Sequence, residues 1–357
     1  MFNFLFQEKK PTIKENTFIV WEPCSKSHSE VVPGYAKYLL DLGYNVTVLV
    51  EPERYKEGLF SKFEHKNLTL DKLKRHDILK YFKNSDLSEV QGLMITTIGK
   101  LCDDINFNQV YSHFKKNVDK NKIYMVEHEA APAVDAGKWR EDLIILRKLN
   151  YKNKQAVVVN PHYFGNVKIT EKNKDITNFV TVGAITKGKK NTSTIINAAL
   201  ELKNKGYDNF KVTVIGKGSL NNIPKAVRKN IDIKGRLPFS KMYEELEKAD
   251  FMLTAYGEEQ IRYNTSGTSG NFQLVFGFLK PCLITENFSP INDFNDTNAI
   301  IYDNDDKYAD AMEKCINMNN EEYKILQNNL KNLQENLYQT SLNNLSNLIE
   351  KKRGKIG

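Results

Sequence analysis

Residues 18–50, FIVWEPCSKSHSEVVPGYAKYLLDLGYNVTVLV, decide the fold. Phe18–Trp21 is a short β-branched and aromatic run, the composition of a buried strand. A polar loop follows. From Val31 to Leu42 the apolar residues Val32, Ala36, Leu39 and Leu40 recur at helical spacing on one face, and Gly43 stands where a helix C′ residue belongs. Val46–Val50 is a second strand. Strand, helix, glycine and strand in this span make a βαβ unit, which predicts a parallel sheet.

The pattern continues in both directions. Leu93–Thr96, Ile123–Val126 and Ala156–Val159 read as further strands of the first half. In the second half Phe179–Val182, Val212–Ile215, Ile231–Lys234, Phe251–Thr254, Cys282–Thr285 and Ile300–Tyr302 read as strands. Helices fit 192–204, 240–248, 271–279, 306–317 and 320–350. The polar stretch 163–178 separates the halves. Leu330, Leu333, Leu337, Leu342, Leu345 and Ile349 are spaced as in a pair of helices. The expected organisation is an N-terminal Rossmann-like domain (1–165), a second one (166–335) and a C-terminal helix (336–357) packing back on the first. In such α/β folds the ligand crevice lies at the carboxyl ends of the strands.

The chain has 357 residues, 40% of them apolar and 27% charged, with a formal net charge of +8. The basic excess is spread evenly over both halves. No dense basic stripe with interleaved aromatics marks a nucleic-acid surface, and the diffuse positive field suits phosphorylated ligands or an anionic membrane surface. Cys24, Cys102, Cys282 and Cys315 form no CxxC pair and no zinc spacing, which fits a reducing, cytoplasmic setting. The apolar patch at the start, MFNFLF, is too short for a signal peptide or a membrane span. A contact with the inner face of a membrane stays open.

The loops carry the chemistry. In 262–286, RYNTSGTSGNFQLVFGFLKPCLITE, the polar residues Thr268, Ser269, Gly270 and Asn271 give way at once to an apolar helix. A helix start of this kind presents backbone N–H groups and the positive end of the dipole, which suit a phosphate. The first loop of the second half, Gly183 to Asn191, carries Lys189 and Lys190, which can clamp a diphosphate as point charges. Gly216 and Gly235 close two more strands, the latter followed by Arg236.

In this order the pieces resemble the C-terminal half of GT-B glycosyltransferases of the family four type. The series runs from Gly183-Ala184-Ile185 through Lys190-Asn191, Ile215-Gly216-Lys217-Gly218, Lys234-Gly235-Arg236 and Ala249-Asp250-Phe251 to Ser269-Gly270 and Lys280-Pro281. The resemblance implies two Rossmann-like domains facing a cleft. It also implies a nucleotide-sugar donor held by Gly183, Lys189, Lys190, Gly216, Gly235, Arg236, Arg262 and residues 268–271. A glycan or lipid-linked acceptor would bind on the first domain. Two features depart from the family. Ala184 stands where an arginine is frequent, and Leu274 and Ser266 hold the places of a glutamate pair.

On the first-domain side, Glu22, His28 and Glu30 follow the first strand, and Glu127, His128 and Glu129 follow Ile123–Val126. Both loops should open on the cleft. Histidine serves as a base or bonds a sugar hydroxyl, so His128, His28 and Glu30 are the catalytic candidates, with Glu127 and Glu129 on the acceptor. No ligand spacing assigns these residues to a metal, and no cofactor beyond the nucleotide-sugar co-substrate is called for. The expected activity is hexosyl transfer in cell-surface polysaccharide synthesis. A nucleotide-sugar 2-epimerase on the same fold and a catalytically inactive partner subunit are the alternatives.

Overall fold

The computed structural model describes residues 13–24, 28–184, 192–218, 223–256, 260 and 262–354. Lys189 and Lys190 lie outside these residues, as does the apolar patch at the start.

Thirteen strands are present among the described residues. In the first half they are β1 (Thr17–Trp21), β2 (Asn45–Val50), β3 (Leu68–Lys72), β4 (Val90–Ile95), β5 (Ile123–Met125), β6 (Ile144–Ile145) and β7 (Val157–Val158). The second half holds β8 (Thr177–Val182), β9 (Phe210–Ile215), β10 (Ile231–Gly235), β11 (Phe251–Leu253), β12 (Cys282–Thr285) and β13 (Ile300–Tyr302). The first sheet runs β3-β2-β1-β4-β5, the second β10-β9-β8-β11-β12-β13, and β6 pairs with β7. All recorded strand pairs are parallel. A bridge from Val126 to Ile144 carries the first sheet on into β6 and β7.

Numbered within its own half, each sheet follows the Rossmann order 3-2-1-4-5, and the second adds strand 6. The order reverses between β1 and β4 in one sheet and between β8 and β11 in the other. Central strands buried on both faces need continuous apolar runs, and β1 is buried throughout. The helix Val32–Asp41 crosses from β1 to β2 and ends as expected at Gly43, whose φ of 86° suits a residue without Cβ. Each sheet has an apolar cluster on both faces.

The helix expected at 320–350 is Asn320–Arg353, and the leucine run spaced as in a helix pair lies within this one helix. No Gly or Pro interrupts it, and a capping box of Asn319 and Glu322 fixes its start. At 1.5 Å per residue it is about 50 Å long, enough to cross both halves. Tyr323, Leu326 and Leu330 pack on the second sheet, and Leu345, Leu348 and Ile349 on the first. Burial of each of these apolar side chains stabilises by about 2 kcal/mol. Lys352 closes the far end, donating to Ile123 O at 2.7 Å and pairing with Asp142 at 3.0 Å.

The stretch between the halves is packed as well. Phe164 is buried against the second sheet, and Lys172 Nζ donates to Ile316 O at 3.3 Å. The halves also meet beside the cleft. Arg236 pairs with Glu57 at 2.7 Å and Lys62 with Glu247 at 2.7 Å, while Tyr243 Oη donates to Leu59 O at 3.2 Å.

Candidate active site

A cleft of about 430 Å³ lies between the two sheets. Its walls are built from loops at the strand carboxyl ends beside both points where strand order reverses. His28 and Glu30 follow β1, and His128 and Glu129 follow β5. Gly183 and Ala184 follow β8, Tyr256 follows β11, and Arg262 with residues 267–271 leads into the helix Gly270–Phe278. Crevices at such reversals are where open parallel sheets bind ligands.

The histidines and acids behave differently from one another. His128 is 5% exposed, and its ring lies 4.4 Å from that of His28, centroid to centroid. His128 Nε2 is 2.7 Å from Thr96 O and 3.3 Å from Thr97 Oγ1. A carbonyl can only accept, so Nε2 carries the proton and Nδ1 is left as the accepting atom. Burial first, and His28 second, push the His128 pKa down to about 3. It is a neutral base across ordinary pH.

Beneath it lies Glu22, which the sequence set in the same loop as His28 and Glu30 but whose role it missed. Its Oε2 accepts from Thr96 Oγ1 at 2.7 Å and Thr97 Oγ1 at 2.8 Å, and its Oε1 accepts from Cys24 N at 2.6 Å. Thr96 and Thr97 are wholly buried. Burial pushes the Glu22 carboxyl up to about 8. A carboxyl raised in the folded state stabilises most below its unfolded value near 4.5, and this contribution is lost as pH rises toward 8. Glu22→Gln should therefore leave stability nearly unchanged at about pH 4 and raise it by about 2–4 kcal/mol at about pH 9. Urea unfolding at the two pH values checks this, and equal effects at both would contradict it.

Glu127 does not line the cleft. It sits behind, with Oε1 accepting from Glu129 N at 3.1 Å and Oε2 against Gly99, where a Cβ would stand 2.4 Å away. Burial raises its carboxyl to about 7. Its place is that of a cap on its own loop. Glu129 faces the cleft and lies 3.7 Å from Arg262, which also stacks on the Tyr263 ring.

The helix start is held by a network. Ser269 Oγ accepts from Asn271 N at 3.3 Å and pairs with Tyr256 Oη, which accepts from Asn271 Nδ2 at 2.8 Å. Thr268 Oγ1 is buried with no hydrogen-bond partner among the described residues. The preceding loop is tied to the first half. Ala130 N donates to Ser266 O at 2.7 Å, Asn150 N to Thr265 O at 3.2 Å, and Glu129 bridges Gly267. Arg147, another residue missed in the sequence, is 8% exposed and donates to the carbonyls of Lys148, Tyr263 and Gly267. Burial lowers its pKa to about 10.

Three expected donor residues stand elsewhere. Gly216 and Gly235 do not line the cleft. They hold neighbouring strand ends together, with Gly216 N donating to Gly235 O at 2.8 Å and Gly183 N to Ile215 O at 2.9 Å. Arg236 is drawn away by Glu57, which Arg54 also pairs. Among the described residues no three His, Cys, Asp or Glu side chains gather as metal ligands would, and no helix is long and apolar enough to cross a membrane.

No family model matches the chain, and no curated protein matches it in sequence. Solved structures do match in shape. The lipopolysaccharide outer core galactosyltransferase WaaB in its apo form has a TM-score of 0.52 at 12% identity, over 94% of this chain and 99% of that one. AviGT4, a glycosyltransferase of avilamycin A biosynthesis, gives 0.52 at 11% identity, over 94% and 98%. The trehalose-6-phosphate synthase OtsA gives 0.54 at 10% identity, over 93% and 98%. Two parallel Rossmann-type sheets, a cleft between their strand ends and these full-length matches show that the chain has the GT-B fold.

Proposed function

We propose that this chain is a glycosyltransferase, moving a hexosyl group from a nucleotide-sugar to a glycan or lipid-linked acceptor in cell-surface polysaccharide synthesis. It would act in the cytoplasm, at the inner face of the membrane. The observation that carries the reading is the start of the helix Gly270–Phe278 opening into the cleft opposite His28, Glu30 and His128. Neutral His128 offers an acceptor for a sugar or acceptor hydroxyl. The helix start offers backbone donors for a diphosphate. Charge develops on the leaving nucleoside diphosphate, so prearranged donors there stabilise the transition state. The helix dipole supplies a positive field there. The family four assignment rests on the ordered motifs, and the polysaccharide role is favoured by the fold shared with WaaB.

A thermal-shift screen of UDP, ADP and GDP and their hexose derivatives tests the reading. A ligand that binds the native state raises the melting temperature by mass action. At least one nucleotide should raise it by several degrees. No shift with any of them would contradict the proposal. Turnover of the donor with no acceptor present would point to an epimerase instead.

A further inference from the structure

The Glu30 carboxylate and the start of the helix Gly270–Phe278 meet across the cleft. A Cβ at Gly270 would stand 2.8 Å from Glu30 Oε1, so the absence of a side chain there lets the acid approach. In the structure the acid lies where the positive end of the helix dipole would otherwise face only the cleft. Thr268, in the same wall, has its Oγ1 buried with no hydrogen-bond partner among the described residues. A carboxylate and a diphosphate are both anions, and both are favoured by that helix end. Placed together in an enclosed site they repel, and like charges this close favour the protonated acid.

Resting on the glycosyltransferase reading of the cleft, we infer that Glu30 and the donor diphosphate compete for this helix start, so that donor capture takes up a proton on Glu30. The proton comes from solvent and adds to the carboxylate, and no bond of the donor changes. Among the described residues, the groups that feel Glu30 come from several elements. The backbone of His28 and of Glu30 itself bonds the carboxylate, and the His128 ring faces it from the loop after β5. Glu22 adds negative charge from the loop after β1, and Tyr243 lies behind it on the helix Phe239–Lys248. His128, held neutral, has no proton to lend. Glu129 is turned toward Arg262. Enclosure raises the Glu30 carboxyl above its ordinary value, which brings protonation closer to neutral pH.

The test is the dissociation constant of UDP, ADP and GDP, measured by calorimetry from pH 5.5 to 8.5, for the wild-type protein and Glu30→Gln. The ratio of the two constants cancels the titration of the nucleotide itself. The expected ratio is near one at pH 5.5 and at least tenfold at pH 8.5, with Glu30→Gln the tighter binder. Binding heats in buffers of different ionisation enthalpy should show more proton uptake by the wild type than by the variant. Glu30→Ala should shift affinity in the same direction. A ratio at or below one throughout, with both proteins binding, overturns the role of Glu30 and leaves the glycosyltransferase reading standing. If neither protein binds any of the three nucleotides, the glycosyltransferase reading falls, and this inference falls with it.

Discussion

Replacing His128 with alanine should lower sugar transfer by about 10²–10⁴-fold while leaving nucleoside diphosphate affinity within a few-fold. His128 stands on the first-half wall, opposite the helix start expected to hold the diphosphate. Its Nε2–H is committed to Thr96 O, which fixes the ring and leaves Nδ1 as the acceptor. With a pKa held down near 3, the ring is neutral from pH 5 to 8. Loss of activity on the acid side of that range would therefore come from another group. The sign for stability follows as well. A lowered histidine pKa gives stability above pH 6.5 that is lost as pH falls toward 3. Alanine leaves Thr96 O without its partner, a cost of about 1–3 kcal/mol, so the variant should be somewhat less stable but folded. His28→Ala should also lower transfer, because the two rings are in contact. Single-turnover rates with the melting temperature alongside decide it. A loss under about tenfold in folded His128→Ala would remove this residue from the reaction.

The second large effect is on folding. Gly216→Ala should destabilise the protein by about 3 kcal/mol or more. Gly216 has a φ of 158°, and a Cβ there would stand 1.7 Å from Gly183 O. Neither strand end can yield easily, because Gly183 N is bonded to Ile215 O and Gly216 N to Gly235 O. Since Gly183 lines the cleft, nucleotide affinity should fall too. Urea unfolding within 1 kcal/mol of wild type would contradict the close approach of β8 and β9 at this point.

The fold was legible wherever strands are central. β1, β2, β8, β9 and β12 are mostly buried and stand in the sequence within a residue or two of their observed bounds. β3 did not stand out, because Leu68–Lys72 is an edge strand with half-exposed residues and no continuous apolar run. The leucine spacing at 326–349 also fits two helices, but no Gly or Pro breaks the helix Asn320–Arg353.

The site was legible as loops and less so as side chains. Strand ends beside the order reversals placed His28, Glu30, His128, Glu129, Gly183 and residues 268–271 on one cleft. Glu127 and Arg236 lie elsewhere, because local partners hold them: the Glu129 backbone in one case and Glu57 in the other. The roles of Glu22 and Arg147 were hidden for the converse reason. Their partners, Thr96 and Thr97 or Tyr263 and Gly267, lie more than seventy residues away in sequence.

On this proposal the donor diphosphate rests on the helix start at Thr268–Asn271. A crystal structure grown with whichever of UDP, ADP and GDP binds tests it most directly. Diphosphate oxygens should lie within hydrogen-bond distance of the backbone of that helix start, with Glu30 displaced from Gly270 or protonated beside it. A nucleotide bound anywhere else on the protein, with this helix start still facing Glu30 alone, would contradict it.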